Sequence, residues 1–283
     1  MLNKFMYMNN FLYFILFFPA IYISQTTGNY IQKNAINCAN LSDTNTIVYN
    51  SVKNYKCISV GEMHGTKEPA EFVLGLVKSF LSNNRKVILG MEIENRKIAK
   101  FSKTNKEKYI EESDFFSIST NDGRNSEAWY NLIKEVNKLE NIKFCFFDTE
   151  LGFNSTRDSV MASNILKKYL VDTNYVIITL TGNIHNKTIL HKEAKTMGCY
   201  LKDYFGSKLI SIFHLYGKGT MYNNSGNGIS IVDVEPSNNT FNDATNYSNF
   251  FIFNNFQNYF PGYSAFIFTK LITASLTHKK SKK

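Results

Sequence analysis

Residues 59–72 read SVGEMHGTKEPAEF. The apolar run CISV at 57–60 stops at Gly61, and Glu62 and His64 follow before Gly65. A glycine there lets the chain turn sharply and brings backbone close to a ligand. The next stretch, EPAEFVLGLVKSFLS at 68–82, carries an apolar stripe at helical spacing. Pro69 falls in its first turn, where a missing N–H costs nothing. The stretch is therefore a buried strand, a turn bearing two chemically able side chains, and a helix.

Working outward, the same order recurs. KVILGMEIE at 86–94 reads as a second strand and IKFCFFD at 142–148 as a third. YVIITLTG at 175–182 reads as a fourth, LISIFHLY at 209–216 as a fifth and GISIVDV at 228–234 as a sixth. Helices are expected over 126–140, with Ser126 as cap, and over 155–170, with one or two further turns within 187–205. The polar stretch after the second strand is expected to hold helical pieces and a loop. Near-continuous apolar strands alternating with helices predict an α/β fold: a largely parallel sheet covered by helices on both faces. A single domain over 29–283 is expected, with its core at about 50–235 and a C-terminal extension at 236–283. Within that extension, 237–258 reads as an excursion or linker, and 260–273 as a last strand or short helix.

In a parallel sheet, sites form outside the carboxyl ends of the strands. The first strand ends in Glu62 and His64, the second in Glu92 and Glu94, and the third in Asp148 and Glu150. The fourth ends in Gly182, with His185 just beyond, and Arg157 and Asp158 open the helix after the third. The i,i+2 spacing turns each of the first three pairs to one face if the backbone stays extended. Histidine and carboxylate together are ordinary ligands for zinc, manganese or iron, and His64, Glu92, Asp158 and His185 form the expected ligand set. A metal there would activate water, with a spare carboxylate as general base. Without metal, a histidine could itself activate water, backed by Glu62 or Glu92. Arg157 could hold a substrate anion, stabilise an oxyanion or orient a carboxylate. Glu62, His64, Arg157 and His185 are thus the candidate catalytic residues. His191, His214 and His278 lack this setting: His191 falls in the expected helix at 187–205, and His214 is expected as a core or lining residue. Trp129, on an apolar helix stripe, is expected in the core.

Three segments carry a resemblance. VGEMHGTKEPAEF at 60–72 resembles the Gly-Glu-x-His motif of the superfamily containing erythromycin esterase-like, ChaN-like haem-binding and Tiki/TraB proteins. RDSVMASNI at 157–165 is similar to its Arg-Asp helix, and GNIH at 182–185 to its Gly-x-x-His. The resemblance covers roughly 55–215. It implies an EreA/ChaN-like core and a site built from Glu62, His64, the Glu92 region, Arg157, Asp158 and His185. Esterase-like members open a macrolide lactone, Tiki-like members are metal-dependent peptidases, and ChaN-like members bind haem. The expected function is an exported, divalent-metal-dependent hydrolase of an ester or amide in a small-molecule or peptide substrate. Haem binding without turnover, or partner binding by a degenerate member, are the alternatives.

Composition narrows the class. The chain has 283 residues, 43 % of them hydrophobic, and a formal net charge of +9. Its lysines are spread out apart from the tail at 278–283, and no nucleic-acid module is present, so nucleic acid is not expected as a partner. No GxSxG elbow, phosphate loop of the GxxxxGK[ST] kind or HExxH occurs, and no GxGxxG follows the first strand. Residues 1–28 hold FLYFILFFPAIYI at 11–23 after Lys4 and before a polar stretch, which reads as a signal peptide or N-terminal anchor. The expected location is periplasmic or secreted, with membrane association through that segment as an option. Of four cysteines, Cys57 and Cys145 read as core residues, leaving Cys38 and Cys199 as the one plausible pairing.

Overall fold

Nine strands form one sheet among the residues described by the computed structural model, which are 27–117, 122–151, 155–224, 226, 228–236, 239–254 and 260–278. They are β1 (Ile36–Asn37), β2 (Cys57–Glu62), β3 (Lys86–Glu94), β4 (Ile142–Asp148), β5 (Tyr175–Gly182), β6 (Leu209–Asn224), β7 (Ile229–Val234), β8 (Asn249–Phe253) and β9 (Ala265–Ile272). Their order is β1-β8-β9-β6-β2-β5-β3-β4, with β7 paired to β6. The run from β9 to β4 is parallel, whereas β1, β7 and β8 add antiparallel pairs. The putting together of six parallel strands is the α/β architecture expected from the apolar runs.

Helices cover both faces, as period-two alternation requires of strands buried on both sides. The helices are α1 (27–34), α2 (Thr46–Val52), α3 (Glu68–Ser82), α4 (Ala99–Thr104), α5 (Lys108–Glu111), α6 (Asp114–Ser117), α7 (Glu127–Asn137), α8 (Ser155–Leu170), α9 (Met197–Phe205) and α10 (Asn239–Asp243). On β5, Val176, Ile178 and Leu180 join the core under α2, α3 and α7, while Tyr175 and Ile177 join the core under α8 and α9. Each such buried aliphatic side chain contributes about 1.5–3 kcal/mol relative to exposure. A third cluster, from Ile31 of α1 and Phe241 of α10 to Phe266 and Phe268 of β9, closes the second face beneath β6, β8 and β9.

Several expectations change. Residues 237–258 are no linker, because α10 and β8 lie within them, and 260–273 supplies β9, which pairs parallel to β6. The extension therefore completes the sheet. β6 runs past Tyr216 to Asn224 and turns back through β7 as an antiparallel arm. The helix expected within 187–205 starts only at Met197, where the Thr196 side chain accepts from Cys199 N. His191 thus lies in a turn bridged to Ala194, outside any helix. Cys38, Cys57, Cys145 and Cys199 are all buried free thiols, so Cys38 and Cys199 are not paired. The apolar stretch at 11–23 and Lys279–Lys283 lie outside the described residues.

Candidate active site at the carboxyl ends of the strands

The ends of β2, β3, β4 and β5 deliver the polar groups to one edge of the sheet. Glu62, the last residue of β2, is 2 % exposed, and its Oε1 lies 2.6 Å from His64 Nδ1. β2 ends at Glu62, and the turn that follows brings His64 back onto its carboxylate. Trp129 of α7 donates its indole N–H to both Glu62 oxygens at 3.1 Å. A carboxylate accepts and does not donate, so the neutral His64 ring carries its proton on Nδ1 and keeps its lone pair on Nε2. Among the described residues Nε2 has no hydrogen-bond partner, and the side chain is 19 % exposed.

The other sheet face builds a second cluster. Glu92 Oε2 accepts from Thr181 Oγ1 at 2.7 Å and from Gly182 N at 2.8 Å. Its Oε1 accepts from Arg157 Nη2 at 2.9 Å and Arg124 Nη1 at 3.0 Å. The same two guanidiniums reach Asp148 Oδ2, each at 2.8 Å, and Arg157 Nε adds Asp148 Oδ1 at 2.9 Å. His185 follows the turn after β5, where Asn183 N donates to Glu62 O at 3.0 Å and ties the two strand exits together. His185 Nδ1 donates to Asp158 Oδ1 at 2.6 Å, and Met197 N donates to the same oxygen at 2.9 Å. His185 Nε2 is then an acceptor, and Arg157 Nη1 lies 3.1 Å from it. The two histidines share a tautomer but differ in availability.

Gly182 sits where the clusters meet. A Cβ there would lie 3.0 Å from His64 Nε2 and 3.7 Å from Glu92 Oε2. Gly65 and Gly123 both have positive φ, and a Cβ on either would strike the Tyr222 carbonyl of the β6–β7 arm. That close approach of three backbones seats the loop carrying Arg124 beside the loop carrying His64.

Charge and burial set the protonation. Burial pushes the Glu62 carboxyl above its ordinary value, against the pull of His64 and Trp129. Burial alone would lower His64, but the hydrogen bond and charge of Glu62 outweigh it and lift its pKa. Burial would raise Glu92, but Arg124, His185, His64 and Arg157 together hold it far below the carboxylate range. Burial opposes the charge on Arg124, yet Glu92 and Asp122 raise its pKa above the ordinary arginine value.

Glu62, His64, Glu92, Asp148, Arg157, Asp158 and His185 therefore converge as expected. Glu94 and Glu150 do not. A bulge on β3 sets Glu92 and Ile93 against the single residue Phe147. Beyond it, Glu94 pairs with Arg96 and Lys97, and Glu150 pairs with Arg96, at the surface. The set His64, Glu92, Asp158 and His185 does not fit a metal. Glu92 is occupied by two guanidiniums, a hydroxyl and an amide, Asp158 by His185 and Met197 N, and Arg157 faces His185 Nε2. Two arginines stand where a cation would serve, and no metal-holding group of three such side chains occurs among the described residues. His214 is a core residue: Nε2 lies 3.2 Å from Thr269 Oγ1, and burial pushes its pKa down to about 3.

Strand-end periodicity does not point to Arg124 or to the polar role of Trp129. Arg124 comes from a loop and not a strand end, and Trp129 lies on a stripe that reads as core. A single DGR turn before a helix was the only trace.

No family model matches the chain, and no curated protein matches it by sequence. Solved structures do. A succinoglycan biosynthesis protein matches at 10 % identity and a TM-score of 0.68, over 90 % of this chain and 99 % of that one. A Bacillus cereus protein matches at 10 % identity and 0.63, over 90 % and 99 %. A mutant of the erythromycin esterase EreC, in its open conformation, matches at 11 % identity and 0.52, over 81 % and 94 %. The chain thus has the erythromycin esterase-like α/β fold that the Gly-Glu-Met-His motif implied.

Proposed function

We propose that this protein is a hydrolase of an ester or amide bond in which His64 is the general base. One observation carries the reading: Glu62 fixes Nδ1 of a partly exposed histidine, and Nε2 is left with its lone pair at the sheet edge. His64 Nε2 takes a proton from water as the water oxygen bonds to the carbonyl carbon. The imidazolium that forms is stabilised by Glu62, and it then returns the proton to the leaving oxygen or nitrogen as that bond breaks. In this reading Arg124, whose side chain is 17 % exposed and whose loop packs beside the loop of His64, stabilises the developing oxyanion. His185, with Nε2 facing Arg157, orients that guanidinium. The substrate is a small molecule or peptide. The likeness to an esterase fold supports the reaction class without naming the substrate. The apolar stretch at 11–23 supports export or anchoring as part of this proposal; among the described residues no helix is long and apolar enough to cross a membrane.

The test is a panel of activated esters, lactones and peptide amides, run with and without chelator on protein lacking residues 1–26. Hydrolysis that survives the chelator supports the reading. Loss of all hydrolysis on chelation would return the metal reading, and a Soret band on haem addition with no turnover would favour haem binding.

A further inference from the structure

The segment after β9, Thr273–His278, crosses the molecule as an extended strap. Thr66 bridges Ala274 and Ser126 bridges Thr277, so the strap lies between the loop of His64 and the start of α7. Ser126 occupies the cap position of α7, yet its side chain makes no capping bond and its Oγ is buried without a partner. The free N–H groups of a helix start need acceptors. Here they come from the strap: Glu127 N donates to Leu276 O at 2.8 Å, and Ala128 N to Ser275 Oγ at 2.9 Å. His278 N donates to Asn125 O at 3.0 Å, one residue from Arg124. The His278 ring stacks on Tyr130 at 3.7 Å and 9°, and its Nδ1 lies 2.8 Å from Glu127 Oε1.

The other side of the strap holds the general base. Ser275 N donates to Gly65 O at 2.8 Å, and Tyr222 N donates to the same carbonyl at 3.0 Å. Ser275 alone therefore grips the residue after His64 with its backbone and the first turn of α7 with its hydroxyl. Trp129, on that first turn, is the group that holds Glu62. Nothing in this requires that the reaction be hydrolysis, but the activity arm of the test rests on that reading.

We propose that Ser275 and His278 are positioning residues: the C-terminal strap, as the cap of α7, sets Trp129 on Glu62 and Arg124 on Glu92 and Asp148. The strap thereby keeps two loops separated by about sixty residues of sequence in one site. A purely structural strap would stabilise the fold and leave site geometry unchanged at low temperature.

Trp129 is the only tryptophan and is 1 % exposed, so its emission reports the site directly and without substrate. The full chain is compared with Ser275→Ala, His278→Ala and the double variant, far below each Tm. The proposal predicts red-shifted emission and faster acrylamide quenching of Trp129. It also predicts a roughly ten- to hundredfold loss of kcat/KM, the scale of a misplacement on the order of 1 Å. Lower Tm with unchanged Trp129 emission and quenching would overturn it. A parent without hydrolysis would sink the proposed reaction while the fluorescence comparison still decides on the strap.

Discussion

Glu62 Oε1 lies 2.6 Å from His64 Nδ1, while the Trp129 indole holds both oxygens of the same carboxylate. The buried carboxylate therefore raises the basicity of His64 and fixes its tautomer at once. Replacing Glu62 by Gln removes the charge and leaves an amide oxygen in place. The pKa of His64 should fall, and the acid limb of the kcat/KM profile should move to lower pH. The rate on the plateau should drop about 10²-fold, a typical share for an assisted proton transfer. A profile that keeps its acid limb would show that His64 is not the titrating group.

Arg157 neutralises two buried carboxylates, Glu92 and Asp148. Arg157→Met strands part of that charge and should cost about 3–5 kcal/mol, as removal of one member of a buried pair does. Arg157→Lys should recover little, because one ammonium cannot reproduce the three guanidinium bonds to Asp148 and Glu92. Urea unfolding of the three chains measures this directly.

Stability should respond to pH through the same groups. The Glu92 pKa is depressed on folding, so its contribution is present above its unfolded value of about 4.3 and is lost as pH falls toward the folded value. The His64 pKa is raised, so its contribution is full below about 6.5 and fades as pH rises through the folded value. Stability should therefore fall on the acid side below about pH 4, and Glu92→Gln should flatten that fall. Tm measured across pH 2 to 6, roughly, for parent and variant would reveal an unchanged slope if Glu92 were not responsible.

Gly182→Ala places a methyl 3.0 Å from His64 Nε2. Overpacking of this kind costs about 1–3 kcal/mol, so the protein should stay folded while hydrolysis is lost by displacement of the ring. Near-normal kcat at reduced KM or unchanged KM would place the reacting water elsewhere.

Much of this was legible because parallel strands bury both faces. Their apolar runs stand out, and whatever polar residue ends each run is delivered to one edge. Glu62, His64, Glu92 and Asp148 follow from that rule. Glu94 and Glu150 obey the same spacing and still fail, since the bulge at Glu92 and Ile93 and the cation Arg96 draw them to the surface. Arg124 was hidden because the backbone contacts of Gly65, Gly123 and Tyr222, and not strand periodicity, place it. β8 was hidden because the aromatic run NFFIF at 249–253 sits inside asparagine-rich sequence, where composition reads as linker. The ligand set His64, Glu92, Asp158 and His185 was read from residue type alone, and residue type does not reveal that two guanidiniums lie on Glu92 and that one of them faces His185 Nε2.

Among the described residues His64 offers a free Nε2 and His185 does not, and the hydrolytic rate of His64→Ala set beside His185→Ala tests that difference most directly. Both variants are assayed on the best substrate of the panel, with circular dichroism and Tm as the check on folding. His64→Ala should lose about 10²- to 10⁴-fold in kcat, the range for removal of a general base. His185→Ala should lose less, because it acts through Arg157 and not on water. Equal or greater loss in His185→Ala, or full activity in His64→Ala, would contradict the account.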